Sequence, residues 1–444
     1  METHLAIAVA FAIAVPAQRT FASAHPSTPA PFAYVTNSFS DTVSVIATAT
    51  NTVVATVPVG TRPHGVAITP DGAFAYVTNL NPSNTVSVIE TATNTVVATV
   101  AVGQDPAWVA VTPDGSFVYV TNASSGTISV IATTTNTVVA TIALGTGPGA
   151  APQIVAITPD GSSAYVTNSN ASTLWVIATA TNTVVATVHV GNFPRGVAFT
   201  PDGAFAYVAN LLSGTVSVVA TATNTVVATV GVGAGPFGVA MTPDGAFAYV
   251  TNVNFGTVSV IATATNTVVA NIPVGAAPAG IAITSDGAFG YIAIDGSNTV
   301  SVIEVATNTV VGNVAVGAHP LGVAIRPEAV VGVGLDIKPG SEPNPLNLKS
   351  RGKIPVAILS AEDFDARATV DATSLTFGST GDEPSLAFCN TGGEDVNGDG
   401  RLDLVCHFVD QKTGFQVGDT EGVLRGQTAS GEPIEGRDGV RIVP

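Results

Sequence analysis

The chain has 444 residues and a net charge of -17, yet only 10% of its residues are charged and 46% are hydrophobic, which excludes a disordered acidic polypeptide. With 14 Lys and Arg against 31 Asp and Glu it also argues against nucleic acid as a partner, because phosphate binding needs clustered cations. Alternating Val, Thr, Ala and Ile with 45 Gly and 28 Pro fits short strands joined by tight turns and leaves little room for long amphipathic helices.

Residues 5–15, LAIAVAFAIAV, form an apolar run too short to span a bilayer, and Ala22-Ser23-Ala24 follows before the Pro-rich HPSTPAP. This predicts a cleavable secretory signal over 1–24 and a short linker over 25–31, although METH lacks a Lys or Arg; the alternative is an apolar N-terminal strand. No later stretch reads as a transmembrane segment. The expected location is therefore secreted, periplasmic or cell-surface associated.

From residue 32 the chain repeats. TNTVVATV at 50–57 returns nearly unchanged from 93, 135, 181, 223 and 265, with a diverged copy from 307. The markers Tyr34, Tyr76, Tyr119, Tyr165, Tyr207, Tyr249 and Tyr291 are 42, 43, 46, 42, 42 and 42 residues apart, the period of propeller blades. Each unit holds four strand-like runs, in the second unit AYVTN (75–79), TVSVIE (85–90), TVVATVAV (95–102) and WVAVT (108–112), bounded by turn residues such as Pro-Asp-Gly. Seven such units predict an all-β, seven-bladed β-propeller over 32–327. The run GVAIR (322–326) is expected to return as the inner strand of the blade begun by residues 32–57, closing the ring without an open edge. The Y-V-T-N letters resemble the YVTN family of β-propeller repeat proteins, with Tyr207-Val208-Ala209-Asn210 and Tyr291-Ile292-Ala293-Ile294 as diverged copies. That resemblance implies the propeller fold and an exported or surface location.

TPDGAFA and ATATNT vary little and belong to one face of the disc, while the other connections differ in every blade and share the opposite face. After the Pro of each variable loop one residue enters the innermost strand at the channel mouth: His64, Ala107, Gln153, Arg195, Phe237, Ala279 and Leu321. His64, Gln153 and Arg195 are the polar members and the candidate ligand-binding residues, flanked by Arg62, Asp105 and His319; the alternative is that they merely solvate the rim. Asp71, Asp114, Asp160, Asp202, Asp244 and Asp286 lie in turns where Asp accepts backbone hydrogen bonds, which makes them poor bases. Gly233-Ala-Gly235-Pro-Phe-Gly238 matches a dinucleotide fingerprint in letters alone, since a strand follows it. Trp108 and Trp175 are expected to fill space between blades.

Near residue 328 the period stops, and 328–444 holds 19 acidic and 10 basic residues, including every Lys. Strand-like runs recur there, predicting a small β-sandwich-like C-terminal domain. DIKPGSEPNPLN and GKIPVAIL resemble a module of secreted bacterial proteins. DVNGDGRLD puts oxygen donors at Asp395, Asn397, Asp399, the Arg401 carbonyl and Asp403, the 1, 3, 5, 7, 9 spacing of a calcium loop, with Cys406 where a twelfth ligand would stand. The run resembles the D-x-N-x-D-G-x-x-D loops of FG-GAP and related repeats, which makes calcium the expected cofactor; the alternative is an Asx-rich turn without metal. Cys389 and Cys406 flank this loop, and in an exported protein they read as a disulfide contributing about 3 kcal/mol, against the alternative of two buried thiols.

The leading functional expectation is a monomeric, non-catalytic binding or scaffold protein of the cell surface or surface layer, its variable face acting in adhesion to a protein or an envelope glycan. The alternative is a lactonase-like hydrolase working at the channel mouth through His64, Arg195 and their neighbours.

Overall fold

The computed structural model describes residues 31–144, 150–327, 331–339, 344–347, 350–361, 364–429 and 433–443; the expected signal segment and residues 25–30 of the linker lie outside these. Seven four-stranded antiparallel sheets follow one another along the chain as blades. Blade 2 is typical: an inner strand Pro63–Ile68, then Phe74–Asn79, Thr85–Glu90 and an outer strand Thr95–Ala101. Blade 1 is built from both ends of the repeat array. Its inner strand is Pro320–Ile325, paired to Phe32–Asn37 with Ala33 opposite Ile325 and Val35 opposite Val323. Arg326 N–H extends this pairing to the Phe32 carbonyl at 2.7 Å, so the ring closes by ordinary sheet hydrogen bonds and exposes no inner edge.

The Y-V-T-N strand is buried on both sides because it lies between the faces of two neighbouring blades, whereas the outer strand is mostly exposed. Each Tyr donates its hydroxyl to the Asn of a TNT turn in the next blade, at 2.5–2.9 Å, from Tyr34–Asn94 around to Tyr291–Asn51. The seven acceptors, Asn51, Asn94, Asn136, Asn182, Asn224, Asn266 and Asn308, are left-handed, with φ of 51–54°. Asn is among the few non-Gly residues that tolerate this conformation, and it alone of Gly and Asn offers a side-chain acceptor. Burial pushes the hydroxyls of Tyr76, Tyr119 and Tyr165 up to about 12, so they remain donors at neutral pH. The repeated Tyr and the Asn of the repeated TNT turn thus form an inter-blade latch.

The motif's Asn points the other way. Asn122 Nδ2 donates to Thr127 and Ser129 of its own blade, and its side chain lies where a Cβ on Gly103 would come within 2.7 Å. Glycine at the VG junction is therefore a packing requirement.

The C-terminal unit has a five-stranded and a four-stranded sheet sharing one core, which includes Ile337, Val356, Phe377, Phe408 and Leu424. This is a two-layered β arrangement. Leu386–Glu394 and Asp403–Val409 form a hairpin in it, and the candidate calcium loop is its turn.

Candidate functional site

The two faces of the disc differ chemically. On the constant face each turn Asp is held by its own loop: Asp114 Oδ1 accepts from the Thr112 hydroxyl at 2.5 Å and the Ser116 amide at 3.0 Å. Those bonds hold its carboxyl below the usual range, as the same bonds do for Asp160, Asp202 and Asp244. A carboxylate so satisfied is a weak base. A cleft of about 530 Å³ on this face, lined by Thr200, Asp202, Tyr207, Asp244 and Asn266, is made from residue types that six of the seven blades repeat.

On the opposite face the inner strands run side by side around the axis, and His64, Ala107, Gln153, Arg195, Phe237, Ala279 and Leu321 each stand second in theirs. The fold anchors their backbone. The Y-V-T-N threonines Thr36, Thr121 and Thr251 donate at 2.7 Å to the carbonyls of His64, Gln153 and Ala279 in the following blade. Two positions before the mouth residue the backbone is left-handed in six of the blades, at Arg62, Asp105, Phe193, Gly235, Ala277 and His319. Five of these are not glycine, and a left-handed residue with a side chain costs about 1–2 kcal/mol.

His64 is partly exposed, with most of its ring packed against protein. Nδ1 lies 2.8 Å from the Ala107 carbonyl. A carbonyl can only accept, so Nδ1 carries the proton and Nε2 keeps a lone pair. Burial pulls the ring down to about 4; the Ala107 hydrogen bond opposes this, and the positive charges of Arg195 and Arg62 reinforce it. The ring is therefore neutral at neutral pH. Trp108 meets it edge-on, with centroids 5.9 Å apart.

Arg195 donates from a terminal nitrogen to Gln153 Oε1. Its guanidinium stands 4.6 Å from the Phe193 ring centre and 5.8 Å from that of Phe237. Its Nε is buried without a partner, and burial lowers the group to about 10. The mouth thus combines a neutral imidazole with a free lone pair, a cation with an unused donor, an amide and three aromatic rings. Catalytic acyl transfer uses such parts: a base for water and a donor facing the developing oxyanion.

The flanking residues divide. His319 turns to Asp295, 2.6 Å from Nδ1 to Oδ1, and stacks near Phe39 with centroids 3.9 Å apart. Asp105 accepts from the Asn81 amide and the Ser124 hydroxyl at the rim. Trp175 packs between blades with Tyr119, Val155 and Val166. The roles of Trp108 and Phe193 beside the mouth were not read from the sequence. Their signal was available, since each lies within two residues of a mouth position.

Residues 4–329 match the YNCE-like beta-propeller family. The chain belongs to this family. No curated protein matches it. Among solved structures, the YNCE-like chain resembles Kuenenia stuttgartiensis hydrazine synthase at 25% identity and a TM-score of 0.56, covering 62% of this chain and 92% of that one. A putative 6-phosphogluconolactonase from Bacteroides fragilis is similar at 20% identity and a TM-score of 0.57, with 67% and 99% covered. The periplasmic gluconolactonase of Pseudomonas aeruginosa is similar at 19% and 0.57, with the same coverage. The last two likenesses show the fold. The expectation of a non-catalytic surface scaffold is corrected here: the three propellers just named carry enzyme titles, and at the mouth Arg195 and Gln153 are bonded to one another while His64 is bonded to the Ala107 carbonyl.

In the C-terminal unit of the YNCE-like chain, Cys389 and Cys406 are cross-strand partners joined by a disulfide. The loop between their strands is ordered by its own acids. Asp395 accepts from the amides of Gly398, Asp399 and Gly400 at 2.8–3.0 Å, Asn397 from that of Asp399, and Asp399 from that of Arg401. Asp403 is fully buried and takes the amides of Ser360 and Val396. Among the described residues no three His, Cys, Asp or Glu side chains converge as a metal cage. Among the same residues no helix is long and apolar enough to cross a membrane.

Proposed function

We propose that this YNCE-like chain is a lactonase-like hydrolase whose reaction site is the channel mouth. The observation that carries the reading is His64: its Nδ1 proton is committed to the Ala107 carbonyl, and its Nε2 lone pair is kept neutral by burial beside Arg195. In this scheme Nε2 takes a proton from water as the oxygen attacks the lactone carbonyl. The negative charge that develops on the carbonyl oxygen faces the guanidinium of Arg195, which Gln153 and two phenyl rings hold in place. The ring C–O bond then breaks, and His64 returns the proton to the departing alkoxide. An imidazole near 4 is a weak base at rest, but negative charge forming next to it raises its proton affinity as the reaction proceeds. The enzyme titles on similar propellers support the reading. It is tested by following acid release from five- and six-membered sugar lactones against the uncatalysed rate; saturable hydrolysis is expected, and rates equal to buffer across the series sink it.

Two further proposals attach. The apolar run before residue 24 and the Cys389–Cys406 disulfide support an exported protein, since disulfides persist in oxidising compartments. The Asp395 loop is a calcium site in which Asp395, Asn397, Asp399, the Arg401 carbonyl and Asp403 hold the ion, the carboxylates drawing together around it; Asp395 Oδ2 accepts a single amide and retains a second lone pair for the ion, whereas Oδ1 accepts two.

A further inference from the structure

We infer that the channel mouth is an anion site, and that the molecule hydrolysed there carries a fixed negative charge, a phosphate ester or a carboxylate, held by Arg62 at the rim while Arg195 faces the reacting carbonyl. This rests on the hydrolase reading above and names its substrate class. Residues 31–327 contain no Lys and three Arg. Arg326 is buried, and its Nε donates to the Gly72 carbonyl at 3.0 Å. The other two both lie close enough to His64 to act on its charge. Positive charge in the blades is therefore concentrated at one place.

Neither of the two has a counter-ion. No carboxylate of the described residues stands within ion-pair distance of either guanidinium. Asp41 accepts from the Arg62 backbone amide at 2.8 Å, and Asp105 is engaged by Asn81 and Ser124. Residues 145–149, Gly-Thr-Gly-Pro-Gly, carry no charge. In a protein of net charge -17 none of the three blade arginines has a carboxylate partner among the described residues; Arg326, with its own Nη1 unpartnered, is enclosed and bonded to the Gly72 carbonyl, so it is Arg62 and the idle, buried Nε of Arg195 at the mouth that offer a place for an anion from solution. Arg195 is walled by Phe193 and Phe237. One oxyanion uses one cation; Arg62, exposed two residues above His64, faces a second negative group on the same molecule.

The test is calorimetric titration of the full chain at pH 7.5 with gluconate, 6-phosphogluconate, glucarate and inorganic phosphate, on the parent protein, Arg62→Gln and Arg195→Gln. These open acids bind without turning over. An acid with a second anionic group is expected to bind about 10- to 100-fold more tightly than gluconate, the value of a charge-assisted contact, with inorganic phosphate competing. Preference for 6-phosphogluconate over glucarate assigns the charge to phosphate, and the reverse assigns it to carboxylate. Arg62→Gln should collapse the preference to within about threefold, and Arg195→Gln should weaken every acid; unchanged melting of the exposed Arg62 variant keeps the reading independent of folding. Equal affinity for gluconate, 6-phosphogluconate and glucarate, or a preference that survives Arg62→Gln, overturns the anion site. Selective binding without lactone hydrolysis upholds the anion site and overturns the hydrolase; hydrolysis of neutral and charged lactones at equal kcat/KM does the opposite.

Discussion

Replacing His64 by Gln removes the one mouth group whose charge state is set by burial. The folded ring titrates near 4 against 6.5 for an ordinary histidine, chiefly through desolvation. As pH falls, the unfolded chain takes up the proton first, so stability is lost between 6.5 and about 4, and the ring has no effect above that window. The interval corresponds to up to about 3 kcal/mol, of which about 2 kcal/mol is realised at pH 5, still above the pI of 4.5 and its risk of precipitation. Both Trp lie in the propeller, so fluorescence during urea unfolding reports the blades alone. Parent and variant are expected to differ by about 2 kcal/mol in how much stability they lose between pH 7.5 and pH 5, with the variant losing less. Carboxylates contribute equally to both and cancel. Histidine-selective NMR checks the same point directly through a midpoint near 4 and an Nδ1–H tautomer. Parallel pH profiles, or a midpoint near 6.5, refute the buried neutral imidazole on which the mechanism depends.

The inter-blade latch predicts that Asn266→Gly costs about 1 kcal/mol, the hydrogen bond from Tyr207, and that Asn266→Ala costs about 1–2 kcal/mol more, because alanine must hold φ of 52°; equal melting of the two variants counts against it. Reducing the Cys389–Cys406 disulfide, which closes a separation of 17 residues, should lower the C-terminal calorimetric transition by about 3 kcal/mol while Trp fluorescence stays unchanged. Calcium at about 100 times its dissociation constant should stabilise that same transition by about 2.7 kcal/mol, and Asp395→Ala should abolish the gain; a transition insensitive to calcium and to chelator leaves the loop as an Asx turn.

Where the chain repeats, the sequence carried nearly all of the architecture. Seven Tyr markers set the blade count, and the surplus GVAIR run required the ring to close on Phe32–Asn37, as the pairing of Ala33 with Ile325 does. The mouth ring was legible because a Pro precedes every inner strand. What the letters did not reveal is contact one period away: Tyr207 reaches Asn266, His64 reaches the Ala107 carbonyl and Arg195 reaches Gln153. Such contacts depend on how far neighbouring blades rotate, which period alone does not encode. Trp108 read as filler for the same reason, being placed beside His64 only by the blade packing. After residue 328 there is no period to mark where short strands such as Asn344–Asn347 or Gly-rich ones such as Leu386–Glu394 begin and end. The scaffold expectation already placed the function on the variable face, where the residues differ from blade to blade; the letters did not show that Arg195 bonds Gln153 there or that His64 bonds the Ala107 carbonyl.

The most direct test of the central claim is kcat/KM for lactone hydrolysis by the parent chain, His64→Gln and Arg195→Gln, each with its melting temperature measured alongside. Saturable turnover in the parent, with a loss of about 100-fold or more in each variant and an intact propeller, is the predicted result. Hydrolysis that survives both substitutions would contradict the account and move the site away from the channel mouth.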